Sequence, residues 1–396
     1  DRHDIILVSG GPETPAPLPP HVRRVQLPEL AMDRAFQNLH ATDGRPLEQT
    51  REDRRRILEE LLRNESPALF LIELYPLGRK AFRQELNPIL EKIRTGQLPP
   101  CRVVCSVRDI LVEKEDQDRH EARAVEALNR WFDALLIHAD PDVIRLEKTF
   151  SRMADVRIPV IYTGFVAPPV SPLEDRDAWR KENGIAPDQA LVVASAGGGA
   201  VGFPLLNAVA RAAQHLPADL PVRMQVFTGP FLSTDETAKL QQHSDRRLRV
   251  DRFATNFSAW LQAADLSVSM AGYNTCMNIL ATGVPALVHP FAQNREQDLR
   301  ARLLAKRRQL AILSEEDLDP QKLASCIMEQ LRAPRTGTCP VDIAGAIQFV
   351  FADGDVGFTH PVLNLLQLYF EPVDTINFMP QHFLAPVNGL PARHTL

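Results

Sequence analysis

Short, wholly apolar runs alternate with longer amphipathic ones along most of the chain. Asp4–Gly11 (DIILVSGG), Val22–Pro28 (VRRVQLP), Ala68–Leu74 (ALFLIEL), Arg102–Val107 (RVVCSV), Asp133–His138 (DALLIH) and Ile158–Gly164 (IPVIYTG) have strand length. Leu47–Asn64 has the helical period instead, with Ile57, Leu58, Leu61 and Leu62 on one stripe. Gly78–Gly96 and a charged segment ending at Leu128 also read as helices, and a short helix precedes Ile158. Strands without polar alternation are buried on both faces, as in a parallel sheet covered by helices. Residues 1–164 are therefore expected to form a first Rossmann-like domain.

Phe165–Gln189 is proline-rich and polar, the composition of an interdomain linker. A second alternating series occupies residues 190–333. It opens with strand, glycine loop and helix in ALVVASAGGGAVGFPLLNAVARAA, and continues with strands at VRMQVFTGP and RLRVDRF. Helix FSAWLQAA, strand DLSVSMAG, a helix ending at Lys306 and the helix DPQKLASCIMEQLRA complete it. The two series predict an α/β protein with two doubly wound domains facing a cleft. Residues 334–396 differ in character: they have few charges and many aromatics, and start an α/β unit without completing one.

Composition narrows the classes without changing this picture. The 396 residues are 44% hydrophobic and 24% charged, with a net charge of -5, which argues against a nucleic-acid partner. Basic clusters at Arg51–Arg56 and Ala305–Gln309 read as solvated helix faces, with a peripheral membrane contact as the alternative. Five cysteines without Cys-x-x-Cys spacing suit reduced thiols in the cytoplasm better than a disulfide frame or a zinc site. No apolar run reaches the ~20 residues of a membrane span. The chain opens on an interior-type strand without an initiator Met, so a preceding piece is expected.

Three loops carry candidate chemistry. Ser195–Gly202 (SAGGGAVG) follows a buried-type strand and precedes a helix, where consecutive glycines let backbone N–H groups approach a phosphate. It is neither Gly-x-Gly-x-x-Gly nor a P-loop, so neither a dinucleotide nor an ATPase reading is favoured. Met270–Thr275 (MAGYNT) puts Asn274 and Thr275 at a second helix start. His289–Gln297 (HPFAQNREQ) puts Gln293, Asn294, Glu296 and Gln297 at a third. Helix starts suit a diphosphate and amides or carboxylates suit sugar hydroxyls, all beyond the carboxyl ends of strands where such sheets bind ligands.

With these motifs in view, Ser269–Leu304 with SAGGG before it resembles the donor domain of GT-B glycosyltransferases. It is most similar to the group containing the lipid-II-forming N-acetylglucosaminyltransferase and to a set of predicted bacterial glycosyltransferases. Glu73–Arg79 (ELYPLGR), Cys105–Lys114 (CSVRDILVEK) and Tyr162–Val166 (YTGFV) look like that predicted set as well. The resemblance implies a GT-B fold and metal-independent transfer from a nucleotide-diphosphate sugar, UDP- or GDP-linked, with no cofactor. By position it implies that Gly197, Gly198 and Gly199 hold the diphosphate and that Phe253 lies near the base. Gly272, Tyr273, Asn274 and Thr275 would face phosphate or sugar, and Gln293, Glu296 and Gln297 the sugar hydroxyls. His289 adjoins these loops and either contacts a phosphate or packs beside Pro290. Asn278 stands where better-known relatives carry a ribose-gripping Glu. The family's Gly-x-Gly-His loop is absent and would precede Asp1.

An inverting transfer needs a base for the acceptor hydroxyl. Glu73 and Asp109 are the candidates, with a partner for Arg79 and a helix cap or salt bridge as their respective structural alternatives. His138 reads as a hydrogen-bonded strand-end residue. The tail sequence IQFVFADGDVGFTHPVLNLL resembles the start of a polysaccharide-deacetylase-like domain, but Asp353 and Asp355 are too few for a catalytic metal site, and His360, His382 and His394 lack ligand spacing. The expected function is sugar transfer to a carbohydrate, lipid-linked or small-molecule acceptor. A sugar-nucleotide epimerase on the same fold and a non-catalytic nucleotide-sugar-binding module are the alternatives.

Overall fold

The computed structural model describes residues 4–11, 18, 21–32, 38–112, 116–168, 170–198, 201–254, 256–291, 295–307, 310–333 and 341–345, and the backbone of 365–369. The chain divides into two compact units. The first contains the described residues up to His138, Leu146–Thr163 and the strand at 365–369; the second contains Ala139–Arg145 and Gly164–Gly345.

The first unit begins with β1 (Ile5–Ser9) and β2 (Val22–Gln26), then a small antiparallel pair, β3 (Leu30–Met32) and β4 (Leu39–Ala41). Helix α1 (Leu47–Glu65), β5 (Leu69–Glu73), α2 (Arg83–Arg94), β6 (Arg102–Arg108), α3 (Gln117–Trp131), β7 (Ala134–His138) and β8 (Val160–Tyr162) follow. Ile5, Leu7, Leu69, Leu71, Val104, Ala134 and Leu136 form the core on one sheet face. Their register places Glu73, Ser106, Arg108 and His138 at the carboxyl end of that same face. The short helix expected before Ile158 takes the form of 3-10 turns at Leu146–Lys148 and Met153–Asp155.

One expectation is reversed in α1. Within the basic cluster read as a solvated face, Arg54 is fully buried beside Leu58, Leu61 and Leu62. Its Nε donates to Glu85 Oε2 at 2.8 Å, and its Nη1 to the carbonyls of Gly10 (3.1 Å) and Pro28 (2.7 Å). Arg54 lies three and four residues before Ile57 and Leu58, so helical spacing turns it inward with them. Burial raises the Glu85 carboxyl above its ordinary value although Arg54 opposes the shift.

The second unit opens with α4 (Arg176–Glu182), then β9 (Ala190–Ser195), α5 (Phe203–Ala212), β10 (Val222–Phe227), α6 (Thr234–Gln241), β11 (Leu248–Asp251) and α7 (Phe257–Ala263). It continues through β12 (Leu266–Met270), α8 (Tyr273–Thr282), β13 (Ala286–His289), α9 (Arg295–Lys306), β14 (Ala311–Ile312) and α10 (Pro320–Arg332). The sheet runs β11-β10-β9-β12-β13-β14 with every pair parallel. The order reverses between β9 and β12, where Ser195 lies opposite Ser269. Such a switch point opens a crevice beyond the carboxyl ends of the two strands.

Residues 170–189, read as linker, instead pack on this unit. Asp175 caps α4 through the N–H groups of Asp177 and Ala178. Arg176 and Arg180 reach Asp265 at 2.8 and 3.0 Å, and the Trp179 ring stands edge-on to Trp260 at 5.0 Å. Burial alone would raise the Asp265 carboxyl, but the Leu191 N–H and the two arginines hold it below its ordinary value.

The tail also behaves differently from a separate domain start. Strand β15 (Leu365–Tyr369) inserts between β1 and β5, in parallel with both, so the first sheet runs β2-β1-β15-β5-β6-β7-β8. The chain's last described strand thus lies in the interior of its first sheet. Asp353, Asp355, His360, His382 and His394 lie outside the described residues.

Candidate functional site

Four loops at the carboxyl edge of the second sheet are tied together. After β9, Gly197 takes a left-handed φ of 62°. Its carbonyl and that of Gly198 lie against Gly229, in the loop after β10, where an added Cβ would come within 2.3 Å of Gly197 O and 2.8 Å of Gly198 O. Gly229 also has a left-handed φ, 80°, so only glycine fits here on both counts. The Phe231 N–H donates to Gly198 O at 3.0 Å. The loop after β11 joins through the N–H groups of Thr228 and Gly229, which donate to Asp251 O and Arg252 O, each at 3.0 Å.

The fourth loop, after β12, starts α8. Its N-cap is Gly272, which brings no side chain to cover the first N–H groups. Thr275, in the first turn, places Oγ1 3.6 Å from a Cβ built on Gly197 and 3.9 Å from one built on Gly272. The start of α8 therefore faces the glycine loop across the switch point, where the positive end of a helix dipole favours an anion. The Ser269 hydroxyl is buried at the end of β12 and has no hydrogen-bond partner among the described residues. In the loop after β11, Phe253 stands 65% exposed, an apolar surface at the rim.

The other expected donor contacts are placed as follows. Tyr273 is buried; its hydroxyl accepts from the Val166 N–H at 3.0 Å. Asn274 belongs to the first turn of α8, and Asn278 is buried one turn further along it. Glu296 and Gln297 lie in the first turn of α9, and Gln297 Oε1 accepts from the Phe291 N–H at 3.1 Å. His289 ends β13, with Nδ1 at 3.2 Å from Leu313 O and Nε2 at 3.4 Å from Glu315. Those contacts, beyond β14, account for both ring nitrogens within the fold. Gly199, Gln293 and Asn294 lie outside the described residues.

Sequence reading missed two residues here. Gly229, in FTGP, looks like any strand-end turn; only its contact with Gly197 shows its role. Arg300, a charged residue on a charged helix, is 2% exposed and donates to Ala271 O at 3.2 Å, directly before the N-cap of α8.

At the carboxyl edge of the first sheet the groups are of another kind. Glu73 Oε1 lies 3.5 Å from Arg108 Nη2 and Oε2 3.8 Å from Arg79 Nη2, with a side chain 14% exposed. Both separations exceed a hydrogen bond, so the two guanidiniums hold the carboxylate by charge alone. Asp109, by contrast, is fully buried. His138 lies between the Ser106 hydroxyl, 2.7 Å from Nε2, and the Thr163 hydroxyl, 2.9 Å from Nδ1. Because Thr163 Oγ1 also donates to Ile137 O at 3.4 Å, it accepts from Nδ1–H and leaves Nε2 to accept from Ser106. Burial, with the nearby Arg108, pushes the His138 imidazole down to about 3, so it is neutral at ordinary pH. Among the described residues no cluster of three or more His, Cys, Asp or Glu could hold a metal ion. No described helix is long and apolar enough to cross a membrane.

Residues 193–337 match the sequence profile of the glycosyltransferase family 28 C-terminal domain, which covers these four loops. The UDP-N-acetylglucosamine–N-acetylmuramyl-(pentapeptide) pyrophosphoryl-undecaprenol N-acetylglucosamine transferase of Moorella thermoacetica is 25% identical over 185 residues, 45% of this chain and 49% of that protein. The protein of the same name from Desulforudis audaxviator is 28% identical over 190 residues, 45% and 50% of the respective chains. The chain thus spans about half the length of these curated relatives. Among solved structures, the glycotransferase of kitacinnamycin matches with a TM-score of 0.51 at 12% identity, over 84% of this chain and 92% of that one. The fold is GT-B, with two Rossmann-like units built on parallel sheets.

Proposed function

We propose that the protein is a glycosyltransferase that takes a sugar from a nucleotide-diphosphate sugar and passes it to an acceptor hydroxyl. The observation that carries this reading is the convergence of four loops at the β9/β12 switch point, inside the segment that matches family 28. Gly197, Gly198 and the start of α8 are assigned to the diphosphate, Phe253 to the base, and Glu296 and Gln297 to the sugar hydroxyls. The names of the curated relatives make UDP-N-acetylglucosamine the first donor to test and a lipid-linked diphosphate the first acceptor class.

In the transfer, the acceptor oxygen bonds to the anomeric carbon as the bond from that carbon to the diphosphate oxygen breaks. The acceptor proton goes to a base, and the electron pair leaves on the nucleoside diphosphate. The backbone N–H groups at the α8 start stabilise that developing charge without a metal, since their dipoles are fixed before the reaction. Glu73 is assigned as the base: it lies between two arginines at 3.5 and 3.8 Å, partly exposed, and hydrogen-bonded to neither. Asp109, sealed in the core, is assigned a packing role.

Adding UDP, GDP, dTDP or ADP to the protein tests the donor site. One of them is expected to raise the melting temperature, and Gly198→Asp, which adds a carboxylate to the loop, is expected to abolish the shift. No shift with any of the four overturns the reading. A donor screen that follows nucleotide release then identifies the sugar, and Glu73→Gln is expected to remove turnover while leaving the nucleotide-induced shift in place.

A further inference from the structure

Helix α9 supplies more than the proposed sugar contacts at its start. Arg300 lies four residues after Glu296 and three after Gln297, so it follows them on the same helix face one turn on. Its side chain is buried, with Nη1 donating to Ala271 O at 3.2 Å and the guanidinium 5.4 Å from the centre of the Tyr273 ring. Tyr273, the first residue of α8, is in turn held by the Val166 N–H on its hydroxyl and by Phe165, whose ring centre lies 6.2 Å away. Two residues after Tyr273, Thr275 faces the glycine loop, its Oγ1 3.6 Å from where a Cβ on Gly197 would lie. A chain of direct contacts therefore runs from the start of α9, through Arg300, to the part of α8 that faces Gly197.

Apolar packing alone would not ask for a cation here. Burying a guanidinium is costly unless its geometry is well matched. What the planar fork offers is a fixed distance and orientation between the carbonyl it binds and the ring it covers. The two elements joined in this way carry, in the proposed function, opposite ends of one ligand: α8 the diphosphate and α9 the sugar.

We propose that Arg300 is a positioning residue that sets the spacing between these two ends, and so governs recognition of the sugar more than of the nucleotide. The proposal rests on the donor site assigned above. Its signature is a split: loosening Arg300 leaves the α8 start facing the glycine loop, but lets Glu296 and Gln297 drift from the sugar.

The test compares binding of UDP and of UDP-N-acetylglucosamine by titration calorimetry, or of whichever nucleoside diphosphate and its sugar conjugate the donor screen selects. Arg300→Lys keeps the charge and loses the fork; Tyr273→Leu keeps Arg300 and removes the ring beneath it. Both are expected to weaken the sugar conjugate roughly tenfold or more, as displacement by an ångström does at other sites, while the free diphosphate keeps its affinity within about threefold. Arg302→Gln, at an exposed pair with Asp298, is the control and is expected to change neither. Arg300→Lys binding both ligands as the parent does overturns the proposal, and so does equal loss of both, which marks Arg300 as a fold residue only. If the parent protein binds no nucleotide, the donor reading fails and this inference with it. Binding by the parent without a split in the variants defeats the inference alone.

Discussion

The carboxyl edges of the two sheets have the same architectural position and opposite chemistry. In the second unit the edge is built from backbone: glycines at 197, 198, 229 and 272 and the start of α8. In the first unit it is built from side chains that are already engaged with one another. Arg54 with Glu85 and two carbonyls, Glu73 between two arginines, and Ser106, His138 and Thr163 in a row occupy it. Backbone donors at fixed positions suit a ligand with many charges and little shape, such as a diphosphate. A lattice of paired side chains fixes the position of one group, Glu73, which the proposed function assigns as the base.

If the first edge is a structural lattice, removing one member should cost stability first. Arg54→Met leaves the Glu85 carboxylate buried without its partner and should lower the unfolding free energy by about 3–5 kcal/mol. The double change Arg54→Met with Glu85→Leu should recover most of that loss, because an apolar pair needs no compensation. Urea unfolding of the three variants checks both statements. A double variant as unstable as the single one would show that the Gly10 and Pro28 carbonyls, rather than Glu85, depend on Arg54.

The second edge should answer in the other order, with function lost ahead of stability. Gly229→Ala puts a Cβ against the carbonyls of Gly197 and Gly198 at a left-handed φ. The strain is expected to cost about 1–3 kcal/mol. Since the atoms displaced belong to the proposed diphosphate loop, the nucleotide-induced melting shift should vanish while the protein remains folded. A variant that melts lower yet keeps the shift would separate Gly229 from the site.

How far the sequence foretold these edges depends on the range of the contacts involved. The second edge was legible because its signals are local: SAGGG directly after a strand, MAGYNT directly before a helix. Gly229 was not, because a single glycine in a turn looks the same whether it touches solvent or another loop. Arg54 was hidden inside a run of charged residues; its partner, Glu85, is 31 positions away on another helix. The α4 helix was concealed by the prolines around it, although Asp175 followed by Trp179 carries the cap and the packing residue. Nothing within Leu365–Tyr369 tells which sheet it joins, and its place between β1 and β5 is decided wholly by distant neighbours.

The finest distinction between the edges is protonic. His138 is neutral in the folded protein down to about pH 3, against 6.5 for the unconstrained side chain. Between those values the unfolded chain binds the proton more readily than the folded one. The contribution of His138 is therefore complete above pH 6.5 and is lost as pH falls toward 3, at up to about 1.4 kcal/mol per pH unit. Between pH 7 and 5.5 the expected loss is on the order of 1 kcal/mol. His138→Gln can donate to Thr163 and accept from Ser106 without titrating, so its stability should fall less over the same interval. Denaturation curves for both proteins at pH 7, 6 and 5.5 give the comparison, and parallel slopes would show that the row from Ser106 to Thr163 does not hold the imidazole neutral. Arg108 sits beside His138 in the register and also lies 3.5 Å from Glu73, so the arginine that discourages a proton on the imidazole also faces the carboxyl assigned as the base. Of these two neighbours of Arg108, His138 is buried and uncharged, and Glu73 is partly exposed to solvent, as the role assigned to it in the proposed function requires.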